Sequence, residues 1–138
     1  MADLPNRINL TVVTRERKVL DVQVDEVVLP GSNGEIGVLP GHTPLLATLR
    51  IGPLRYRTGN SMSRIVISWG FAEVLPDRVI VLAERGFLPD EIDRGLAEKE
   101  RAEAEKAIAD LSSHDPEFAA IEARLEESIA KLDIGRIH

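Results

Sequence analysis

Apolar and polar positions alternate through the first 88 residues and recur at helical spacing in the remainder. Ile8-Asn9-Leu10-Thr11-Val12 has the period of two expected of a strand with one buried face. Val19 to Val24 nearly repeats it, and Val27-Val28-Leu29 follows until Pro30-Gly31 interrupts. Shorter runs of the same kind cover Glu35 to Leu39, Leu45 to Leu49, Leu54 to Arg57, Arg64 to Ser68, Phe71 to Leu75 and Arg78 to Leu82. Turn sequences separate them: Gly31-Ser32-Asn33-Gly34, Pro40-Gly41, Gly52-Pro53, Gly59-Asn60 and Pro76-Asp77. Many short strands at close spacing predict a sandwich or flattened barrel of antiparallel strands.

After Leu88-Pro89 the pattern changes. Asp93 to Leu111 holds no proline, one early glycine and a dense mix of Ala, Glu, Lys and Arg, which predicts a helix capped by Asp90 or Asp93. Ser112 to Pro116 is a break, and Asp115 as N-cap with Pro116 in the first turn predicts a second helix to about Asp133, with Gly135 beyond its end. Phe118, Ile121, Leu125, Ile129 and Leu132 form its apolar stripe. The first helix offers a thinner seam of Leu96, Ala97, Ala104, Ile108 and Leu111. The short connection predicts that the two pair as an antiparallel hairpin. The chain therefore reads as α+β: an antiparallel β-sandwich over residues 1–88, then an antiparallel helical hairpin over residues 89–138. Its small-residue seam and high charge predict a weakly held hairpin, able to exchange one packing arrangement for another; a hairpin docked permanently on the sandwich is the alternative.

Composition narrows the classes. Aromatics make up 4% of residues, so the core must rest on Val, Ile, Leu and Ala. The absence of cysteine excludes disulfides, thiolate chemistry and zinc ribbons, and points to a reducing compartment. Neither a signal-peptide core nor a run near the roughly 20 residues of a membrane span is present, so membrane association would go through a partner. The net charge of -6 is unevenly placed. Residues 1–88 carry 10 Lys and Arg against 9 Asp and Glu, and residues 89–138 carry 7 against 14. Such an acidic segment repels a phosphate backbone and suits a basic protein surface, so nucleic acid is not an expected partner.

Catalytic signatures are missing. His42, His114 and His138 show no metal-binding spacing, and Ser61, Ser63 and Ser68 lack a nucleophile-elbow context. The glycines of Gly31 to Gly37 precede no Gly-Lys-Ser/Thr and read as turn chemistry. A metal site from Glu35 and His42 lacks a third ligand nearby. These two residues flank the apolar Ile36 to Leu39 segment, which would put them at one end of the sandwich, with His42 exposed on a Pro-Gly turn. By physics alone, ordinary turn residues are the simpler reading.

The segment Pro30 to Leu46 resembles throughout the signature PGxxGExGVLPGHxPLL of the epsilon-subunit family of F-type ATP synthases. Ser68 to Val74 is similar to that family's SGGFLEV strand, with Trp69 in place of the first glycine, and Val79 to Glu84 resembles its VTVLAE strand. The resemblance runs in order along essentially the whole chain.

It implies a non-catalytic rotor subunit whose sandwich, of about ten strands, binds the gamma subunit and rests on the c-subunit ring. The hairpin lies beside the sandwich, or extends along gamma to the alpha/beta catalytic head and suppresses ATP hydrolysis. By position, Glu35 and His42 are similar to residues facing the c-ring loops. Inhibitory members often carry basic residues on the second helix, whereas this one sets Arg124 and Lys131 among Glu117, Glu122, Glu126 and Glu127, a departure that argues against strong inhibition. Some members bind ATP through I/L-D-x-x-R-A. Here Ile92-Asp93-Arg94-Gly95-Leu96-Ala97 keeps the acid and puts Leu96 at the arginine position, leaving Asp93 as the remnant of such a site. No cofactor is expected, with ATP binding weak or absent. The rival reading is a stand-alone interaction module, a sandwich with a helical arm. Met1 to Arg7 is too short and too poor in Arg and Ser for a mitochondrial transit sequence, which favours a bacterial or plastid-encoded origin; the bacterial one is chosen, with a place on the cytoplasmic face of the plasma membrane.

Overall fold

The structure is a computed structural model and describes residues 5–135. His138 and Met1 to Leu4 lie outside the described residues. Eight strands precede two helices: β1 Ile8–Val13, β2 Lys18–Val24, β3 Glu26–Gly31, β4 Gly34–Val38, β5 Leu45–Leu49, β6 Gly52–Thr58, β7 Ser61–Leu75, β8 Arg78–Phe87, α1 Arg94–Ala109 and α2 Phe118–Gly135. A 3-10 turn, Pro89–Glu91, joins β8 to the helices. The strands run in the order β2-β1-β8-β7-β5-β3-β4, with β6 bridging β3 and β7.

The core is aliphatic, as the aromatic-poor composition requires. Its largest fully buried side chains are Ile8, Leu10, Leu29, Leu54, Ile65 and Ile67, with valines filling between them. Each such burial is worth roughly 1.5–3 kcal/mol. β7 organises the sandwich. Its first half pairs with β6 and its second with β5, while β8 follows it in one unbroken register from Val66↔Phe87 to Leu75↔Arg78. Ile65 and Ile67 enter the core from one side of this strand, and Ala72 and Val74 from the other. A straight strand passing between the two sheets of a sandwich does this, because the sheets turn opposite faces inward.

That geometry corrects the sequence reading at several points. The runs Arg64 to Ser68 and Phe71 to Leu75 are one strand of 15 residues. The alternation fails between them because the inward face changes there. Eight strands are found among the described residues, where the resemblance implied about ten. One pairing, β1 with β8, is parallel. Nearly the whole sandwich lies between these two strands in sequence, so no hairpin dictates their direction.

In the hairpin, α1 is capped by Asp93 rather than Asp90, its carboxylate accepting from the Leu96 N–H at 3.0 Å. α2 begins at Phe118, later than expected. Asp115 takes the Glu117 N–H at 2.9 Å and the Phe118 N–H on its own carbonyl, so Asp115-Pro116-Glu117 form a turn before the helix. Gly135 is its last helical residue. α2 packs onto β6 and β7, and α1 packs chiefly on α2. With neighbours on two sides, the buried arc of α2 shifts to Glu127, Ser128, Ala130, Lys131, Leu132 and Ile134, and Ile129 of the expected stripe is 41% exposed. Leu96, placed in the α1 seam by its spacing, is 52% exposed, while Ala97 and Ala104 are buried.

Candidate functional site

Glu35 lies on β4, an edge strand of the sandwich, and His42 on the turn that follows it. They are brought to one edge but not into contact. Glu35, on the strand's second residue, is exposed, and its Oε2 accepts from Arg55 Nη2 at 2.6 Å. Arg55 pairs with Val28 and Glu35 with Pro30, so the ion pair reaches across β3. It holds the carboxylate in one orientation, although the pair is half-exposed and worth little to stability. His42 is half-buried rather than exposed. Its turn rests against the β7–β8 turn through Gly41 N–H to Pro76 O at 2.8 Å, and Gly41 has φ +86, which favours glycine. His42 Nδ1 lies 2.6 Å from the Thr43 carbonyl. A carbonyl only accepts, so Nδ1 carries the proton in this contact and Nε2 is left for a partner.

A second surface was not foreseen. On the outward face of β5, β7, β8 and β1, two rows of directly paired residues run across the strands: Leu46–Glu73–Ile80–Thr11 and Thr48–Phe71–Leu82–Val13. Leu46 is 76% exposed, Phe71 56% and Leu82 55%, and Trp69 on the same face of β7 is also half-exposed. Clustered exposed apolar side chains of this size mark a partner surface in a small protein. The signal in the sequence was the departure Trp69 and the unbroken apolar run Ile80-Val81-Leu82, which has no alternation to mark one side as buried.

The third place is the joint between sandwich and hairpin. Asp93 is occupied as the N-cap of α1. Glu91 Oε1 accepts from Arg17 Nη2 at 2.7 Å and from the Leu88 N–H at 2.8 Å, tying the 3-10 turn to the β1–β2 connection. The Arg17 hydrogen bond, then the Leu88 one, lower the Glu91 carboxyl below its ordinary value. A narrow cleft of about 200 Å³ lies beside Asp93, Leu96, Phe87 and Lys131. Next to it Glu127, Lys131, Ser68 and Arg85 meet between α2 and the β7–β8 ribbon. Sequence reasoning missed this cluster, whose one visible signal was the i,i+4 spacing of Glu127 and Lys131. Among the described residues there is no group of three or more His, Cys, Asp or Glu able to hold a metal, and no helix long and apolar enough to cross a membrane.

Comparison with known proteins identifies the family. Residues 7–88 match the ATP synthase delta/epsilon chain β-sandwich domain. The chain is 42% identical over 132 residues to an ATP synthase epsilon chain of Syntrophobacter fumaroxidans, covering 96% of this chain and 98% of the relative. It is 37% identical over 132 residues to ATP synthase epsilon chain 2 of Syntrophotalea carbinolica, covering 96% of each. Its fold is similar, with a TM-score of 0.80 and 26% identity, to a chain in the cryo-EM structure of the Euglena gracilis mitochondrial ATP synthase comprising OSCP, F1 and the c-ring; 99% of this chain and 85% of that one are covered.

Proposed function

Because this chain belongs to the epsilon-subunit family of the ATP synthases, non-catalytic components of the central stalk, we propose that it is a rotor subunit coupling c-ring rotation to ATP synthesis. In this reading the sandwich, residues 1–88, is the torque-bearing joint and the hairpin, residues 89–138, the regulatory arm. The observation that carries it is the exposed apolar face around Leu46, Phe71 and Leu82. A stand-alone module would leave that face in water, whereas a subunit permanently seated on gamma buries it. The β4 edge, with the oriented Glu35 carboxylate and the His42 Nε2, then faces the polar loops of the c-ring. The complex would sit with this subunit on the cytoplasmic face of a bacterial plasma membrane.

The hairpin, when extended toward the alpha/beta head, suppresses ATP hydrolysis, and its acidic α2 makes that suppression weak. ATP itself is bound weakly or not at all. Leu96 is exposed where nucleotide-binding relatives place a guanidinium, the Asp93 carboxylate is engaged as a cap, and the adjoining cleft is below the roughly 300 Å³ at which small-molecule pockets begin. The deciding experiment titrates the protein into an ATP synthase soluble core stripped of its epsilon subunit. Full-length chain is expected to co-elute with gamma and lower hydrolysis modestly and saturably, and a chain ending at Leu88 to co-elute without lowering it. Calorimetry with ATP is expected to show no low-micromolar site. Failure to bind gamma would return the chain to the class of independent interaction modules.

A further inference from the structure

We propose that Glu127 is the hub of a polar latch that holds the hairpin on the sandwich in one register. The inference rests on the reading of the hairpin as a movable arm and names what holds that arm. Two alternate rungs of the β7–β8 ladder, on one face of it, form the dock: Val66↔Phe87 and Ser68↔Arg85. One rung is apolar and the other polar. Paired residues point to the same side of a ladder, so the Ser68 hydroxyl and the Arg85 guanidinium stand next to each other. α2 answers with Glu127, Ala130, Lys131 and Ile134, at the i, i+3, i+4 and i+7 positions of one helical face.

The Glu127 carboxylate satisfies three partners at once. Oε2 accepts from Ser68 Oγ at 2.6 Å, and Oε1 pairs with Arg85 Nη1 and Lys131 Nζ, each at 3.2 Å. Its side chain is 9% exposed and that of Lys131 is 10%. Lys131 Nζ lies 4.1 Å, and the Arg85 guanidinium carbon 5.0 Å, from the centroid of the Phe87 ring. The apolar part of the dock is small: Val66, Ala130 and Ile134, flanked by Phe87 and Ile92.

This division has a physical consequence. An apolar dock tolerates sliding, because area is buried in many registers, but a buried carboxylate is satisfied in one. The same groups make release inexpensive. Arg85, whose side chain is already 57% exposed, needs only to turn toward water, and Glu127 and Lys131 regain hydration on leaving. Little apolar surface is given up. The dock is therefore specific in place and modest in strength.

The chain has no cysteine, so two introduced cysteines, Asn60→Cys and Glu122→Cys, accept spin labels uniquely on the sandwich and on α2. Pulsed-EPR distances in the full chain then read the docked fraction. Glu127→Gln keeps the Ser68 hydrogen bond but leaves two cations unneutralised, and is expected to raise the undocked fraction about tenfold or more. Arg85→Gln is expected to raise it several-fold, and Arg85→Gln with Glu127→Gln no further than Glu127→Gln alone, because the two act through one contact. Far-UV circular dichroism confirms that the sandwich remains folded, and Ser68→Ala serves as a milder third probe. An unchanged distance distribution in Glu127→Gln, or effects of Arg85 and Glu127 that simply multiply, would overturn the latch. Hydrolysis by the epsilon-stripped core separates this failure from that of the inhibitory reading. Undocking without altered inhibition leaves the latch standing and removes inhibition by extension; unaltered docking beside normal inhibition does the reverse.

Discussion

Gly70 and Trp69 respond to their surroundings in opposite ways. A Cβ at Gly70 would run into the Leu82 carbonyl and the Ala83 Cα, both backbone, so no side-chain adjustment makes room. Trp69 points outward on the opposite face and is half-exposed. The family pattern places glycine at both positions, and this chain departs at the one that geometry leaves free. Gly70→Ala is accordingly expected to destabilise the sandwich by about 1–3 kcal/mol, the usual cost of overpacking, as measured by urea denaturation. Glu91 supplies a pH-dependent contribution. Its folded pKa is lowered, first by Arg17 and then by the Leu88 N–H, so its stabilisation is full above the ordinary carboxylate pKa of about 4.3 and fades as pH falls through the folded value. Asp25 has the same sign, through the Gly59 N–H and then Arg7. Glu91→Gln should therefore be less stable than the wild type at pH 7 and indistinguishable from it near pH 2, in denaturant midpoints taken across that range.

Helix α2 shows how an element's buried face is set by its neighbours. Periodicity nominated Ile129 together with Leu132, which lie three residues apart and share a helical flank. In the fold Leu132 is 3% exposed and Ile129 41%. Leu132→Ala is expected to cost about 2–4 kcal/mol of hairpin packing and Ile129→Ala no more than about 0.5 kcal/mol, with hydrogen exchange of the α2 amides as the measure. Equal effects would mean that the spacing, not the packing, had identified the stripe correctly. The α1 contribution is small because its buried residues are Ala97 and Ala104, which bring the helices close without burying much area.

Across the molecule, the β7–β8 ribbon connects the exposed apolar patch with the hairpin dock. One face of it runs from Val66, Ser68, Arg85 and Phe87 at the hairpin dock to Ala72, Val74, Val79 and Val81 in the core. The other carries Ile65 and Ile67 in the core and Phe71 and Leu82 at the exposed patch. Partner binding and hairpin docking are thus built on one rigid two-stranded support, on different parts of its length. Phe71→Ser with Leu82→Ser, both exposed, is expected to leave thermal stability nearly unchanged and to weaken co-elution with gamma at least tenfold. The emission of Trp69, the single tryptophan, should shift to the blue when the wild-type chain binds gamma. Lost binding accompanied by unfolding would instead assign the patch to the core.

Local chemistry was sufficient for much of this. Alternation placed the strands of the first half, since a two-residue period needs no knowledge of which sheet is opposite. Turn residues such as Gly41 and the cap at Asp93 were readable because their causes lie within a few residues. The signature from Pro30 to Leu46 carried the family. What pairs across long separations was not readable. The fusion of two predicted runs into β7, the parallel β1–β8 pairing and the exposed row of Phe71 and Leu82 all depend on which face of a strand the other sheet covers. The Ser68–Arg85–Glu127–Lys131 cluster depends on α2 settling over β7, 59 residues from Ser68 to Glu127. A charged residue on a helix reads as solvated until a distant partner removes the water, and only the tertiary structure brings that partner in.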